Sequence, residues 1–185
     1  YYLDNMNASS GHILALVNDL LDFHRLESHK MEFNIVPFNV SSLLNEIYLS
    51  FKPMADTKGL KFVIHEKNEE KDLLLEGDPI RIRQIISNLL SNAIKFTSKG
   101  SVVLGYEITN DSGKYILHCI VSDQGCGIPE ADRNKLFNEF SRVSGSEGAD
   151  GFGLGLAITH KLVMLMNGTL SFESEVGKGS MFCVD

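Results

Sequence analysis

Asn88, Asn92 and Lys95 stand at i, i+4 and i+7 within DPIRIRQIISNLLSNAIKFT, residues 78–97, so on a helix they share one face. Two amides and an ammonium pointing one way are, by themselves, ordinary on a solvated helix face. Two glycine clusters downstream change that reading: DQGCGI at Asp123 to Ile128, and GFGLGL at Gly151 to Leu156. Glycine at this density lets backbone approach a ligand closely, and a helix beginning after GFGLGL aims its free N–H groups at phosphate. The chemistry suggested is the cradling of a phosphorylated ligand. It is not a dinucleotide fingerprint, because no strand-like run precedes Gly151 and the third glycine of GxGxxG is absent; nor is it a P-loop, since no GK[ST] ends the run. A lone GxGxG is a flexible turn as readily as a site, whereas two clusters following an asparagine helix are far more specific.

The elements that must position these residues follow from pattern. Ile82, Ile85, Ile86, Leu89, Leu90, Ala93 and Ile94 recur at helical spacing, and Asp78-Pro79 is the order of an N-cap followed by proline at the first helical position. Upstream, Asn39 with Ser41 and Ser42 caps an amphipathic helix that ends at Lys58-Gly59; LKFVIHE and DLLLEG then read as strands. SVVLGYEIT and YILHCIVSD form a hairpin turned at NDSGK, and PEADRNKLFNEF is expected to be a short helix. RVSGSEGADG has the composition of a loop. LGLAITHKLVMLMNG is a helix closed by Asn167-Gly168, and TLSFESE and SMFCV make the last hairpin. These runs predict an α+β fold, a mixed and largely antiparallel sheet with three helices on one face.

Residues 3–28 differ. Leu3, Met6, Ser10, Ile13, Val17 and Leu20 alternate three and four apart, a heptad seam that must pack on other helices. After Ser28 the pattern turns strand-like and reaches a proline. The expected division is therefore a helical arm over 1–30 and a globular domain over 31–185.

Bulk properties exclude several classes. At 185 residues with 43% hydrophobic content the chain can bury one core. A net charge of -7 makes a nonspecific grip on nucleic acid a poor expectation. Cys119, Cys126 and Cys183 lack paired spacing, so they form neither a disulfide framework nor a zinc site and are expected to be inert thiols. No apolar run approaches the ~20 residues of a membrane span. Opening at Tyr1 in helix-like sequence and stopping after a strand-like run, the chain reads as part of a longer protein.

The boxes together resemble the ATP-binding catalytic domain of sensor histidine kinases, in the superfamily shared with DNA gyrase, MutL and the large heat-shock chaperone ATPase. DPIRIRQIISNLLSNAIKFT resembles the N box, DQGCGI the first glycine box, LFNEF the phenylalanine box, GFGLGL the second glycine box and GKGSMF the closing segment. The resemblance covers nearly the whole chain and implies a Bergerat-type two-layer α/β sandwich. It implies that Asn92 coordinates a magnesium ion bridging the nucleotide phosphates with Asn88 beside it, and that Lys95 contacts phosphate. Amide oxygens are hard ligands and a lysine neutralises phosphate charge, so the residue types suit those roles.

It further implies that Asp123 accepts a hydrogen bond from the adenine amino group, favouring adenine over guanine. Gly125, Gly127 and Ile128 would lie against the base, with Phe140 in the phenylalanine box. Gly151, Gly153, Leu154, Gly155 and Leu156 would hinge a lid and wrap the phosphates, and Arg142 would reach the terminal phosphate. Where gyrase-like members place a water-activating glutamate, this chain has Asn88, and an amide is no general base at neutral pH. Phosphoryl transfer is expected, not rapid hydrolysis.

The arm resembles the second helix of the family's dimerisation hairpin. The phosphoacceptor motif, a histidine followed by an acidic residue and soon a proline, is absent; His24 precedes Arg25 and is an ordinary helix residue. The resemblance thus implies a protein-histidine kinase domain using ATP and Mg2+ that does not phosphorylate itself. Its expected partners are an acceptor-histidine helix, from the first helix or a partner subunit, and a response-regulator receiver domain. The full protein is expected to dimerise through the arm and to be anchored in the bacterial inner membrane, with this domain cytoplasmic. Two other readings compete: a noncatalytic, degenerate kinase module acting as an interaction platform, and a serine kinase of the anti-sigma type. The heptad arm argues for the histidine branch.

Overall fold

The computed structural model describes residues 17, 20–28, 31–67, 73–141 and 153–185. Helix α1 runs over residues 20–27. Its heptad positions Val17 and Leu20 are exposed, while Phe23 and Leu26 are buried in the same core as the following domain. The seam positions before Val17 lie outside the described residues.

Strand β1 (Val36–Asn39) leads directly into helix α2 (Val40–Thr57). The turn between them is local chemistry: the Asn39 side chain accepts the Ser42 N–H at 2.8 Å, satisfying one of the donors a helix start leaves open. The helix stops where Gly59 takes φ +69, a conformation that costs other residues a Cβ clash. Strands β2 (Lys61–Glu66) and β3 (Leu74–Gly77) follow.

Helix α3 (Pro79–Phe96) begins as its sequence dictates. Buried Asp78 accepts the N–H groups of Ile80 and Arg81 at 3.0 and 3.1 Å, its second oxygen accepts the Asn34 N–H at 3.0 Å, and Pro79 fills the position that needs no donor. The far end is capped from another element: Lys58 Nζ donates to the carbonyls of Ile94 (2.7 Å), Lys95 (2.8 Å) and Thr97 (3.3 Å). A cation on the last carbonyls complements the negative end of the helix dipole and pins the turn that carries Asn92 and Lys95.

Strands β4 (Ser101–Asp111) and β5 (Lys114–Asp123), short helix α4 (Glu130–Arg133), helix α5 (Gly155–Leu165) and strands β6 (Leu170–Glu175) and β7 (Gly179–Val184) complete the chain. The main sheet has the order β2-β4-β5-β7-β6, with β2 and β4 parallel and the other neighbours antiparallel. Its alternation buries Phe62, Val102, Leu104, Cys119, Val121 and Phe182 under α2, α3 and α5, where Leu44, Ile47, Ile86, Leu90, Ile94, Ile158 and Leu162 meet them. This is the expected α+β sandwich. Among the described residues no helix is long and apolar enough to cross a membrane.

Two elements depart from expectation. Strands β1 and β3 pair with each other in a separate two-stranded sheet and do not join the main one. PEADRNKLFNEF is helical only over Glu130–Arg133. Beyond it the chain makes isolated turns closed by i→i+3 bonds, such as Asn138 N–H to Lys135 O at 2.9 Å. Phe137 instead packs at 4.9 Å on His160 and edge-on at 5.8 Å on Phe172, so side-chain packing overrides helix continuation.

Candidate functional site

The last turns of α3, the end of β5 and the hairpin β6–β7 enclose a cavity of about 250 Å³. Asn92, Ala93 and Phe96 line it from α3, Asp123 from β5, and Cys126, Gly127, Ile128 and Pro129 from the loop that follows. Leu136, Leu156, Val176, Ser180 and Phe182 complete the wall. Ile128, Leu136 and Phe182 are each 7% exposed, so the wall is an apolar slot with few polar groups, the usual make-up of a small-molecule site.

Asp123 is the only carboxylate among the described residues of that wall. Burial pushes its carboxyl up from the ordinary carboxylate range, against the pull of the Gly125 and Ser180 backbone N–H groups it accepts. The Gly125 bond measures 2.8 Å. Behind it, a hydroxyl chain holds the hairpin: Ser174 Oγ accepts the Ile128 N–H at 2.8 Å and lies 2.9 Å from Ser180 Oγ.

The glycines of the first cluster are required by the protein's own packing. A Cβ on Gly125 would stand 2.6 Å from the Phe96 carbonyl oxygen, and one on Gly127, at φ +72, would stand 2.2 Å from that of Glu175. Both contacts are below any tolerated separation, so the loop can lie against the end of α3 and the hairpin only with glycine at these positions.

The polar face of α3 is divided between neighbours. Asn92 faces the cavity, and its amide has no hydrogen-bond partner among the described residues. Asn88 turns to α5 instead: Nδ2 donates at 3.3 Å to the Gly155 carbonyl and at 3.3 Å to the buried Thr159 hydroxyl. Lys95 is half-buried, with Nζ 4.8 Å from the centroid of the Phe96 ring. Gly155 opens α5, and Leu154 at the N-cap position is buried and makes no side-chain cap hydrogen bond. Gly153 takes φ +73 against the backbone of Phe140 and Ser141.

Of the remaining sequence-predicted site residues, Ile128 and Leu156 line the cavity. Phe140 is 61% exposed at φ +56 and is not among the described residues that line the cavity. The turn it occupies faces solvent, while Leu136 and Phe137 supply the inward contacts. Arg142 and Gly151 lie outside the described residues.

Leu136, Ser180 and Phe182 fall within the LFNEF and GKGSMF boxes but carried no expected role of their own, and Thr159 was not singled out. The alternation of SMFCV places Ser180 and Phe182 on one strand face, but only the long-range register Asp123↔Ser180 and Val121↔Phe182 sets them beside the carboxylate. Cys119 behaves as expected, its thiol pushed up to about 12 by burial, whereas Cys126 is exposed on the cavity wall.

Comparison with known proteins agrees with this architecture. The profile described as histidine kinase-, DNA gyrase B-, and HSP90-like ATPase matches residues 77–185. The signal transduction histidine-protein kinase BarA of Escherichia coli K12 is 38% identical over 184 residues, covering 98% of this chain and 20% of that protein. The chain therefore spans about a fifth of the length of that curated relative. Among solved structures, full-length ShkA in complex with AMPPNP superposes with a TM-score of 0.83 at 32% identity, over 99% of this chain and 37% of that one. The catalytic domain of histidine kinase ThkA gives 0.67 at 29% identity, over 83% of this chain and 94% of that one. On the strength of the profile match across more than half its length, this chain belongs to the histidine kinase-, DNA gyrase B- and HSP90-like ATPase family.

Proposed function

We propose that residues 31–185 form the ATP-binding catalytic domain of a sensor histidine kinase, with residues 1–30 belonging to the second helix of its dimerisation hairpin. The domain transfers the γ-phosphoryl group of ATP to a histidine on a neighbouring helix, from which it passes to a response-regulator aspartate. The observation that carries this reading is the apolar slot into which Asp123 from β5 and the Asn92 amide from α3 both face.

In this reading the slot takes adenine, and Asp123 accepts from its amino group. Guanine presents a carbonyl oxygen at that edge and is repelled. The start of α5 beside Asn88 offers N–H donors to phosphate, and Lys95 supplies positive charge at the end of α3. The donor set fits magnesium: an amide oxygen is a hard ligand, and this ion keeps most of its coordination in water and phosphate, so one or two protein oxygens suffice. Asn92, with Asn88 beside it, would hold the ion, which when bound neutralises phosphate charge and fixes the geometry of transfer.

Asn88 also sets the reaction class. Its amide nitrogen is committed to α5 and an amide is no general base, so the pocket lacks a group to activate water at this position. The nucleophile then comes from outside, as a histidine presented by a helix. Dimerisation through the arm, a receiver-domain partner and a membrane-anchored parent with this domain in the cytoplasm complete the proposal. They are supported by similarity to signal-transducing histidine kinases.

The test supplies an acceptor helix hairpin and radiolabelled ATP. Label should move to the acceptor with the wild-type chain and not with Asn92→Ala, whose circular dichroism and melting should stay near wild type. Transfer retained by Asn92→Ala would overturn the site assignment. Failure of the wild-type chain to bind ATP with or without magnesium would favour a noncatalytic interaction module.

A further inference from the structure

Lys161, on α5, joins three parts of the molecule that are far apart in sequence. Its Nζ lies 4.1 Å from the centroid of the Phe23 ring on α1 and 3.7 Å from Glu27 Oε1 on the same helix. It also donates at 2.9 Å to Glu139 Oε1 in the turns after α4. Helix α1 is firmly seated at this point: Phe23 and Leu26 are 7% and 4% exposed, and Asp22 accepts from Gln84 Nε2 at 2.8 Å. The turns reach in the other direction. Leu136 lines the nucleotide cavity, and Phe137 stacks on His160, the neighbour of Lys161. Only two residues separate the cavity wall at Leu136 from the arm contact at Glu139.

We propose that Lys161 is a positioning residue that couples the seating of α1 to the Leu136–Glu139 wall of the cavity, so that nucleotide binds more tightly when the arm is seated. The inference rests on the nucleotide reading given above. Its physical basis is a shared cation. One ammonium serves an aromatic face and two carboxylates, and all three contacts exist together only when α1 and the turns are both in place. If α1 leaves, Lys161 loses the Phe23 face and Glu27, and its hold on Glu139 is no longer fixed in direction. If Lys161 is removed, Glu27 and Glu139 face each other as like charges. Coupling of this kind is reciprocal: nucleotide in the cavity favours the seated arm to the same degree. Partly exposed pairs are individually weak, so the effect is a factor of about three to five in affinity.

The test uses the full chain as wild type, Phe23→Ala, Lys161→Met and the double variant. Hydrogen exchange of the amides of residues 134–141 is read alongside titration with Mg-ATP. Phe23→Ala and Lys161→Met should each weaken Mg-ATP binding about three- to fivefold and speed exchange in 134–141, and the double variant should be no worse than either alone. Glu139→Gln, which leaves Lys161 and Phe23 in contact, should reproduce the affinity loss if Lys161→Met proves too unstable to titrate. Additive effects, or exchange in 134–141 that ignores Phe23→Ala, would overturn the coupling. If the wild-type chain binds no Mg-ATP the nucleotide reading fails by itself, and the exchange measurement still decides whether Lys161 links arm and wall.

Discussion

Replacing Asp123 by asparagine should move stability and binding in opposite directions. Asparagine keeps one acceptor oxygen, enough to retain the 2.8 Å bond from the Gly125 N–H, and turns the other oxygen into a donor. That donor meets a donor whichever way it points, the Ser180 N–H or the adenine amino group. A hydrogen bond to a charged acceptor contributes about 1.5–3 kcal/mol, so ATP affinity should fall about 10- to 150-fold. Stability behaves differently. Burial holds the Asp123 carboxyl above its ordinary value of 3.8, so the fold favours its neutral form. That contribution to stability is present below the unfolded value and is lost as pH rises through the folded one. At pH 7 the nucleotide-free protein therefore carries a disfavoured charge; the neutral asparagine relieves it, which offsets the lost bond from the Ser180 N–H. Calorimetric titration with Mg-ATP and Mg-GTP, with melting of the apo protein at pH 7, reads all three consequences: weaker ATP binding, a smaller preference for ATP over GTP, and a Tm no lower than wild type. For the wild type, ATP affinity should also decline as pH falls toward the raised value, because protonation removes the charge and turns one acceptor oxygen into a donor. An asparagine variant that melts earlier yet binds ATP undiminished would refute the reasoning, since Asp123 would then be a loop cap and nothing more.

Two further substitutions test the frame around the cavity. Lys58→Met removes a cation from three carbonyls at the end of α3 and should cost about 1–2 kcal/mol, read as a lower urea midpoint at unchanged slope. Asn88→Asp replaces the donor to Gly155 by an anion facing a carbonyl; the Thr159 hydroxyl can turn to donate, so one of two bonds is recoverable, and a loss of about 1–3 kcal/mol is expected from denaturation.

What the sequence made legible was whatever local chemistry decides. Asp78-Pro79 announced the start of α3, Asn39 that of α2 and Asn167-Gly168 the end of α5, because caps act within a few residues of chain. The alternation of β4, β5 and β7 showed which strand faces are apolar. Helical periodicity also grouped Asn88, Asn92 and Lys95, but it cannot say which neighbour lies over each turn, and the structure gives Asn88 to α5 and Asn92 to the cavity. Pairings remote in sequence stayed hidden for the same reason: β1 with β3, Ser180 beside Asp123, and Lys58 on the carbonyls of α3. Leu136 was unreadable because the run containing it looks helical, and only packing of Phe137 on His160 and Phe172 shows otherwise.

The glycine clusters illustrate how far a motif can be trusted without coordinates. Density of glycine suggests a ligand, yet at Gly125 and Gly127 the space that a Cβ would need is already taken by the backbone of Phe96 and Glu175. Those glycines shape the slot by letting the loop lie against α3 and the hairpin, and they would be needed even by a domain that had lost its nucleotide. Gly155 differs: among the described residues a Cβ there would meet only Asn88, at 3.8 Å, an ordinary contact. In the proposed reading a phosphate sits at this helix start, where free N–H groups point outward. The proposed nucleotide site therefore rests less on the number of glycines than on Asn92 and Asp123, two polar groups that face the apolar cavity from different elements.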